Sequence, residues 1–169
     1  LLASCKNKTS SYDTIIRNGI VYDGSGQEGF KADIGIRNDT IAFIGDLSDA
    51  TATHETDAAG QAVAPGFIDT HSHHAGNPFD HRDFAAVLSQ GITSIIIGQD
   101  GGSNFPLASF YQQLKDTPVA VNIGSYSGHN TIRDSILGND FKRIASADEL
   151  AKMKNLLHQD MEAGALGLS

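Results

Sequence analysis

The sequence has no tryptophan and a single cysteine, Cys5, among its 169 residues. With one cysteine, no disulfide can form within the chain. Positive charge is also scarce: 12 Lys and Arg stand against 20 Asp and Glu, for a net charge of −8. No basic cluster interrupts that deficit, which argues against nucleic acid as a partner, because phosphate binding needs a positive footprint. No apolar run approaches the roughly 18 residues that a membrane-spanning helix requires. An initiator methionine is absent too; the chain runs from Leu1 to Gly167-Leu168-Ser169, and both ends lead us to expect a piece of a longer protein. What is present, 40% hydrophobic residues and 18 glycines, suffices for one ordinary globular domain with a sizeable core.

Leu2-Ala3-Ser4-Cys5 resembles the lipobox of bacterial lipoproteins, in which a signal segment is cut before a cysteine that then receives lipid. On that resemblance, residues 1–11 are a signal stub and polar tether, with Cys5 as the lipidation site. The expected location is the bacterial cell envelope, on the periplasmic side or at the outer membrane. The only membrane contact expected is through that anchor.

Residues 12–63 read as short β-branched runs cut by turns. Thr14-Ile15-Ile16-Arg17 is expected to break at a hairpin-type Asn18-Gly19 turn and resume at Ile20-Val21-Tyr22. Ala32-Asp33-Ile34-Gly35-Ile36 alternates with period two, and a turn at Asn38-Asp39 leads into residues 40–45. Four strands in a small antiparallel sheet follow, too small to be stable without another layer over it.

From Pro65-Gly66 onward strands and helices alternate over residues 64–169. Strands are predicted at 67–71, 93–98, 119–123 and 165–169. A helix is predicted over 79–90, and another opens at Pro106 with Leu107, Phe110, Tyr111 and Leu114 at i, i+3, i+4 and i+7. Ser146 and Glu149 form a capping box for a third helix, whose apolar face carries Leu150, Met153, Leu156, Leu157 and Met161. This α/β alternation implies a parallel sheet with right-handed crossovers, and four units are half of a (β/α)₈ TIM-like barrel.

The chemistry centres on Pro65-Gly66-Phe67-Ile68-Asp69-Thr70-His71-Ser72-His73-His74. Side chains at i and i+2 of a strand share a face, so His71 and His73 project together. At the C-terminal end of a barrel strand both imidazoles enter the barrel mouth, and two imidazoles on one face suit Zn²⁺ or a similar divalent ion. His54, His74, His81 and His158 have no comparable support and read as solvated or as supporting positions.

With these blocks assembled, the chain resembles the amidohydrolase superfamily, and within it the D-aminoacylase (N-acyl-D-amino-acid deacylase) group. The resemblance rests on Tyr12-Asp13-Thr14-Ile15-Ile16-Arg17-Asn18-Gly19 and the Pro-Gly-Phe-Ile-Asp-Thr-His-Ser-His segment, which mark the superfamily. It also rests on residues 91–98, and on Gly128-His129-Asn130-Thr131-Ile132-Arg133 and residues 162–169, the last two being more particular to the group.

The resemblance implies a metal-dependent hydrolase with one or two divalent ions, in a barrel flanked by a β-sandwich to which residues 12–63 contribute. His71 and His73 match the family's metal-ligand pair on the first strand. Where characterised D-aminoacylases carry a metal-binding cysteine after the second strand, this chain has Asp100 in Gly98-Gln99-Asp100-Gly101; a carboxylate can also ligate Zn²⁺. His129 and Arg133 fall in the predicted loop after the third strand and are candidates to hold a substrate carboxylate, or to brace that loop. Further histidines and a proton-transfer aspartate are expected beyond Ser169. The implied reaction is hydrolysis of a non-peptide amide, such as that of an N-acyl-D-amino acid, by metal-activated water. Two other readings stand beside it. One is a cyclic amidase of the hydantoinase or dihydroorotase kind. The other is a non-catalytic surface lipoprotein that keeps the fold.

Overall fold

The computed structural model describes residues 11–74 and 76–169; Cys5, the expected lipidation site, lies outside them. The chain divides into two compact units, Leu1–Pro65 and Gly66–Ser169. Among the described residues, no helix is long and apolar enough to cross a membrane.

The first unit is a five-stranded sheet of β1 (Ser11–Val21), β2 (Phe30–Arg37), β3 (Thr40–Gly45), β4 (Thr51–Asp57) and β5 (Ala62–Val63), ordered β3-β2-β1-β4 with β5 also on β1. It departs from the sequence expectation in two ways. Asn18-Gly19 does not turn the chain back. The register passes from Ile16 opposite Ile34 to Gly19 opposite Ala32, so β1 carries one extra residue and runs on as a single bulged strand. Asn18 takes the left-handed conformation (φ 58°), which both a type I′ turn and a bulge reward in asparagine, hence the ambiguity. Its amide N–H donates to Asp33 and its side chain to Asp57, both at 2.9 Å, which fixes the bulge.

The sheet is also mixed rather than antiparallel, since β4 and β5 both run parallel to β1. The sequence Thr51-Ala-Thr-His-Glu-Thr-Asp shows no apolar alternation because β4 is an almost wholly exposed edge. His54 therefore sits on a strand, not in a connector. Arg17 secures that strand: its guanidinium meets Glu55 through two bonds of 2.7 and 2.9 Å and donates to the Leu47 and Ala50 carbonyls. Tyr12, Ile15 and Leu47 form the buried cluster of this unit.

The second unit is built on three parallel strands, β6 (Phe67–Asp69), β7 (Ile92–Ile97) and β8 (Asn122–Ser125), in that order. Among the described residues four α-helices accompany them: α1 (Ala85–Leu88), α2 (Leu107–Asp116), α3 (His129–Leu137) and α4 (Ala147–Glu162), with a short 3-10 turn at Gly138–Asp140 after α3. Residues 165–169 extend the order in parallel through a single bridge, Ser127 to Leu168, backed by the Leu166 N–H on Ser125 O and the Ser169 N–H on Ser127 O. Ile95 and Ile97 of β7 lie in the main core with Leu107 and Phe110 of α2, as expected of a parallel strand covered on both faces.

The helix expected over 79–90 is reduced to the single turn of α1. Phe84 stands in the left-handed region (φ 45°), and Arg82 binds the segment before β8, donating to Pro118 O at 2.8 and 3.0 Å while its own carbonyl accepts from Ala120. That tie spans 36 residues, and no local pattern announces it. The third strand is displaced toward the C-terminus from 119–123 to Asn122–Ser125.

On α4 the capping box forms as read, with the Glu149 N–H on Ser146 Oγ and the Ser146 N–H on Glu149 Oε2. Its buried face differs, however. Met153 is buried, but Leu150 and Met161 are 47% and 44% exposed. The buried position in the last turn is Asp160, seven residues after Met153 on the same stripe.

Candidate metal centre

His71 and His73 follow the last residue of β6, outside the regular strand, yet their rings stay together with centroids 5.3 Å apart. The alternation persists because the pairing continues one rung further: the Ser72 N–H donates to Ile96 O at 2.9 Å, and the Ser72 side chain turns inward, 3% exposed. Ser72 Oγ lies 3.1 Å from His74 Nδ1, so His74 sits beside the inward-facing serine rather than with the other two histidines. The His71 N–H donates to Asp69 Oδ1 at 3.2 Å, tightening the turn that lifts both imidazoles off the strand end.

The third donor comes from the end of β7. Gly98, Asp100 and Gly101 all have φ between 62° and 82°. The glycines permit this because a Cβ on Gly98 would stand 2.5 Å from Tyr126 O, and one on Gly101 would stand 2.6 Å from the Asn130 carboxamide. Asp100 is among the few side chains that tolerate the left-handed region. Its carboxylate meets both histidines, with Oδ2 3.2 Å from His71 Nε2 and 3.2 Å from His73 Nε2.

The loop is held from three sides. The Gln99 carboxamide donates to Thr70 O and Ile96 O. The Gly101 carbonyl accepts the Asn130 and Thr131 N–H groups at the start of α3. The Ser169 hydroxyl donates to Gly98 O and accepts from the Gly101 N–H, bracketing Asp100.

The chemistry of this donor set fits a divalent ion. One ligand atom from each of His71, His73 and Asp100 lies within 4.8 Å of the others. Tetrahedral ligands at ~2.0–2.1 Å from zinc are ~3.3 Å apart, close to the spacing of each Nε2 from Oδ2. All three side chains are more than half exposed, which leaves room for solvent and substrate beside them.

The other sequence candidates fall elsewhere. His129 and Arg133 are on helix α3, not in a loop, and the reason is visible: the Gly101 carbonyl and Ser169 O satisfy the first N–H groups of that helix, a cap supplied from distant sequence. His129 is exposed. The Arg133 guanidinium binds the Phe141 and Arg143 carbonyls, which braces the segment after α3. His54 and His81 are exposed, and His158 pairs with Glu162 at 3.3 Å on the outside of α4.

Sequence reasoning missed Gln99, Ser169 and Asp160. Gln99 reaches the Thr70 carbonyl 29 residues away and Ser169 reaches the Gly98 carbonyl and Gly101 amide 68 to 71 residues away, contacts that leave no mark in the local pattern. Asp160 stood on an apolar stripe as its one charged member, a signal that was available.

No family model matches the chain. The chain is 35% identical, over an alignment 187 positions long, to the D-aminoacylase of Alcaligenes xylosoxydans xylosoxydans, a match covering 97% of this chain and 38% of that protein. It is 33% identical to the N-acyl-D-aspartate deacylase of the same organism, over 93% of this chain and 36% of the relative. Among solved structures, the N-acyl-D-glutamate deacylase of Bordetella bronchiseptica, complexed with zinc and a phosphonate inhibitor, superposes with a TM-score of 0.89 at 30% identity, covering 94% of this chain and 38% of that one. A dihydroorotase shares the fold alone, at a TM-score of 0.55 and 20% identity.

The amidohydrolase resemblance read from the sequence is thus borne out: the chain is mixed α/β, and its relatives are D-aminoacylases and N-acyl-D-amino-acid deacylases, hydrolases of amide C–N bonds that use metal. It spans somewhat over a third of the length of the curated relatives it matches.

Proposed function

We propose that this chain is part of a metal-dependent amidohydrolase that cleaves the amide of N-acyl-D-amino acids. Residues 64–169 would be the first four β/α units of a (β/α)₈ barrel, and residues 12–63 part of a flanking β-sandwich. The observation that carries the proposal is the convergence of His71, His73 and Asp100 from the C-terminal ends of adjacent parallel strands, with the Asp100 carboxylate 3.2 Å from each imidazole Nε2. The relatives at 33–35% identity support the substrate class.

The three side chains would hold the ion, and the two imidazoles would present Nε2 to it. When bound, a divalent ion lowers the pKa of water toward about 7 and polarises an amide carbonyl. As a ligand, Asp100 would offset part of the ion's charge through a harder donor than the sulfur of a cysteine. His129, exposed at the start of α3, is the available partner for a substrate carboxylate. Arg133 would join it only by releasing the two carbonyls it now binds. Leu2-Ala3-Ser4-Cys5 supports a lipid anchor in the cell envelope as part of the same proposal; a Cys5→Ala protein recovered in the same membrane fraction as the parent would refute that part.

The test uses the complete gene product carrying this chain, loaded with Zn²⁺. Hydrolysis of N-acetyl-D-amino acids, abolished by chelation and by His71→Ala, is the expected result. Cleavage of hydantoin or dihydroorotate instead would move the protein to the cyclic amidases. Metal binding with no hydrolysis of either class would make it a non-catalytic member.

A further inference from the structure

We infer that Gln99 is a positioning residue of the metal centre, the tie that sets Asp100 against the two histidines; the inference rests on the metal-site reading above. The ladder between β6 and β7 has its last register pair at Asp69 and Ile95. All three ligands lie beyond that point. Past it, two kinds of bond still join the strand ends. One is the Ser72 N–H on Ile96 O at 2.9 Å. The other is the Gln99 carboxamide, whose Nε2 donates to Thr70 O at 2.8 Å and to Ile96 O at 3.0 Å.

The position of these bonds in the chain matters. Thr70 immediately precedes His71, Ser72 stands between the two histidines, and Gln99 immediately precedes Asp100. One side chain therefore closes a short circuit from the backbone next to one ligand to the backbone next to another. Both hydrogens of the Nε2 group are used, so the amide has one orientation. Turning it over would aim Oε1 at two carbonyl oxygens. Oε1 itself is buried and has no hydrogen-bond partner among the described residues, so the carbonyls alone select that orientation.

The demand on the residue is narrow. Asparagine is one methylene shorter, glutamate has the length but would set an anion against two carbonyls, and methionine has the length but no donor. Because the three ligands are exposed, packing does not hold them, and the backbone beneath them must. Groups that orient metal ligands from outside the coordination sphere affect metal affinity by about 10–100-fold.

The test measures Zn²⁺ affinity by chelator competition in the complete gene product, together with the visible spectrum of the Co²⁺-substituted protein. Gln99→Met and Gln99→Glu are compared with the parent and with His71→Ala. The expected result is a cooperatively folded Gln99→Met protein whose Zn²⁺ affinity falls about tenfold or more and whose Co²⁺ bands shift and broaden. Gln99→Glu is expected to fall further. Parent-like affinity and spectrum in Gln99→Met, while His71→Ala has lost the ion, would overturn the inference and leave the site standing. A Gln99→Met chain that cannot fold would also overturn it, since the role would then be structural. Retention of the ion by His71→Ala would remove the site and the inference together.

Discussion

The hydroxyl of Ser127 donates to the carboxylate of Asp160 across 2.6 Å, and neither residue is more than 2% exposed. The other oxygen of that carboxylate accepts the N–H of Leu107, the first residue of α2, at 3.1 Å. Pro106 at the N-cap supplies no side-chain cap, so an aspartate near the end of α4 caps α2 from outside. Asp160→Ala leaves a buried hydroxyl and a buried N–H without partners, at a cost of about 2–4 kcal/mol. Denaturant unfolding should show that loss, and Asp160→Asn, which keeps one acceptor, should lose less than half of it. Equal losses in the two variants would mean that the intact carboxylate is required, with neither side-chain volume nor a single retained acceptor able to substitute for it.

Removing any one of the three ligands should weaken zinc binding sharply. Structural zinc sites contribute about 10–16 kcal/mol over four ligands, or ~3 kcal/mol each, so His71→Ala, His73→Ala and Asp100→Ala should each lose about 100-fold in Zn²⁺ affinity. Full metal content by elemental analysis in Asp100→Ala would remove that residue from the ligand set. Asp100→Cys, by contrast, should retain zinc, and its Co²⁺ form should gain a sulfur-to-metal charge-transfer band, because thiolate is itself a zinc ligand.

The Asp100 loop should be intolerant at one glycine and indifferent at another. Gly98 has φ 82° and no room for a Cβ against Tyr126 O, whereas a Cβ on Gly102 would meet nothing within 4 Å. Gly98→Ala should cost about 1–3 kcal/mol of stability and weaken Zn²⁺ binding. Gly102→Ala should be neutral or stabilise by about 0.4–1 kcal/mol. Matching unfolding midpoints for the two would contradict the loop geometry.

Glu149 should give the protein a measurable acid dependence. Bonding to the Arg143 guanidinium, aided by the Ser146 N–H, holds its carboxyl at about 2, against an ordinary 4.5. As pH falls, the unfolded chain takes up that proton before the folded one does. The contribution is therefore complete above about pH 4.5, declines below it and is gone once pH passes under about 2. Urea unfolding of Glu149→Gln should show a flatter stability profile across that window than the parent; parallel profiles would mean the pairing is absent in solution.

Much of this protein was already decided locally. The Ser146–Glu149 cap, the apolar run of β7 and the alternation that brings His71 and His73 to one side depend on bonds within a few residues or on strand periodicity. These are properties a linear pattern carries. Asp100 became a candidate through the family resemblance, not through periodicity or spacing. What tertiary structure alone decided lies in contacts that cross tens of residues. Asn18 became a bulge rather than a turn because Asp33 and Asp57 were there to hold it. Residues 79–83 left the helical state with Arg82 bound to Pro118, and His129 and Arg133 became helical because Gly101 and Ser169 cap their first turn. The placement of Asp100 within 3.2 Å of both imidazoles likewise depends on Gln99 and Ser169 gripping distant backbone. Backbone carbonyls and amides carry no residue identity, so their long-range pairings leave no trace in the sequence until the chain has folded.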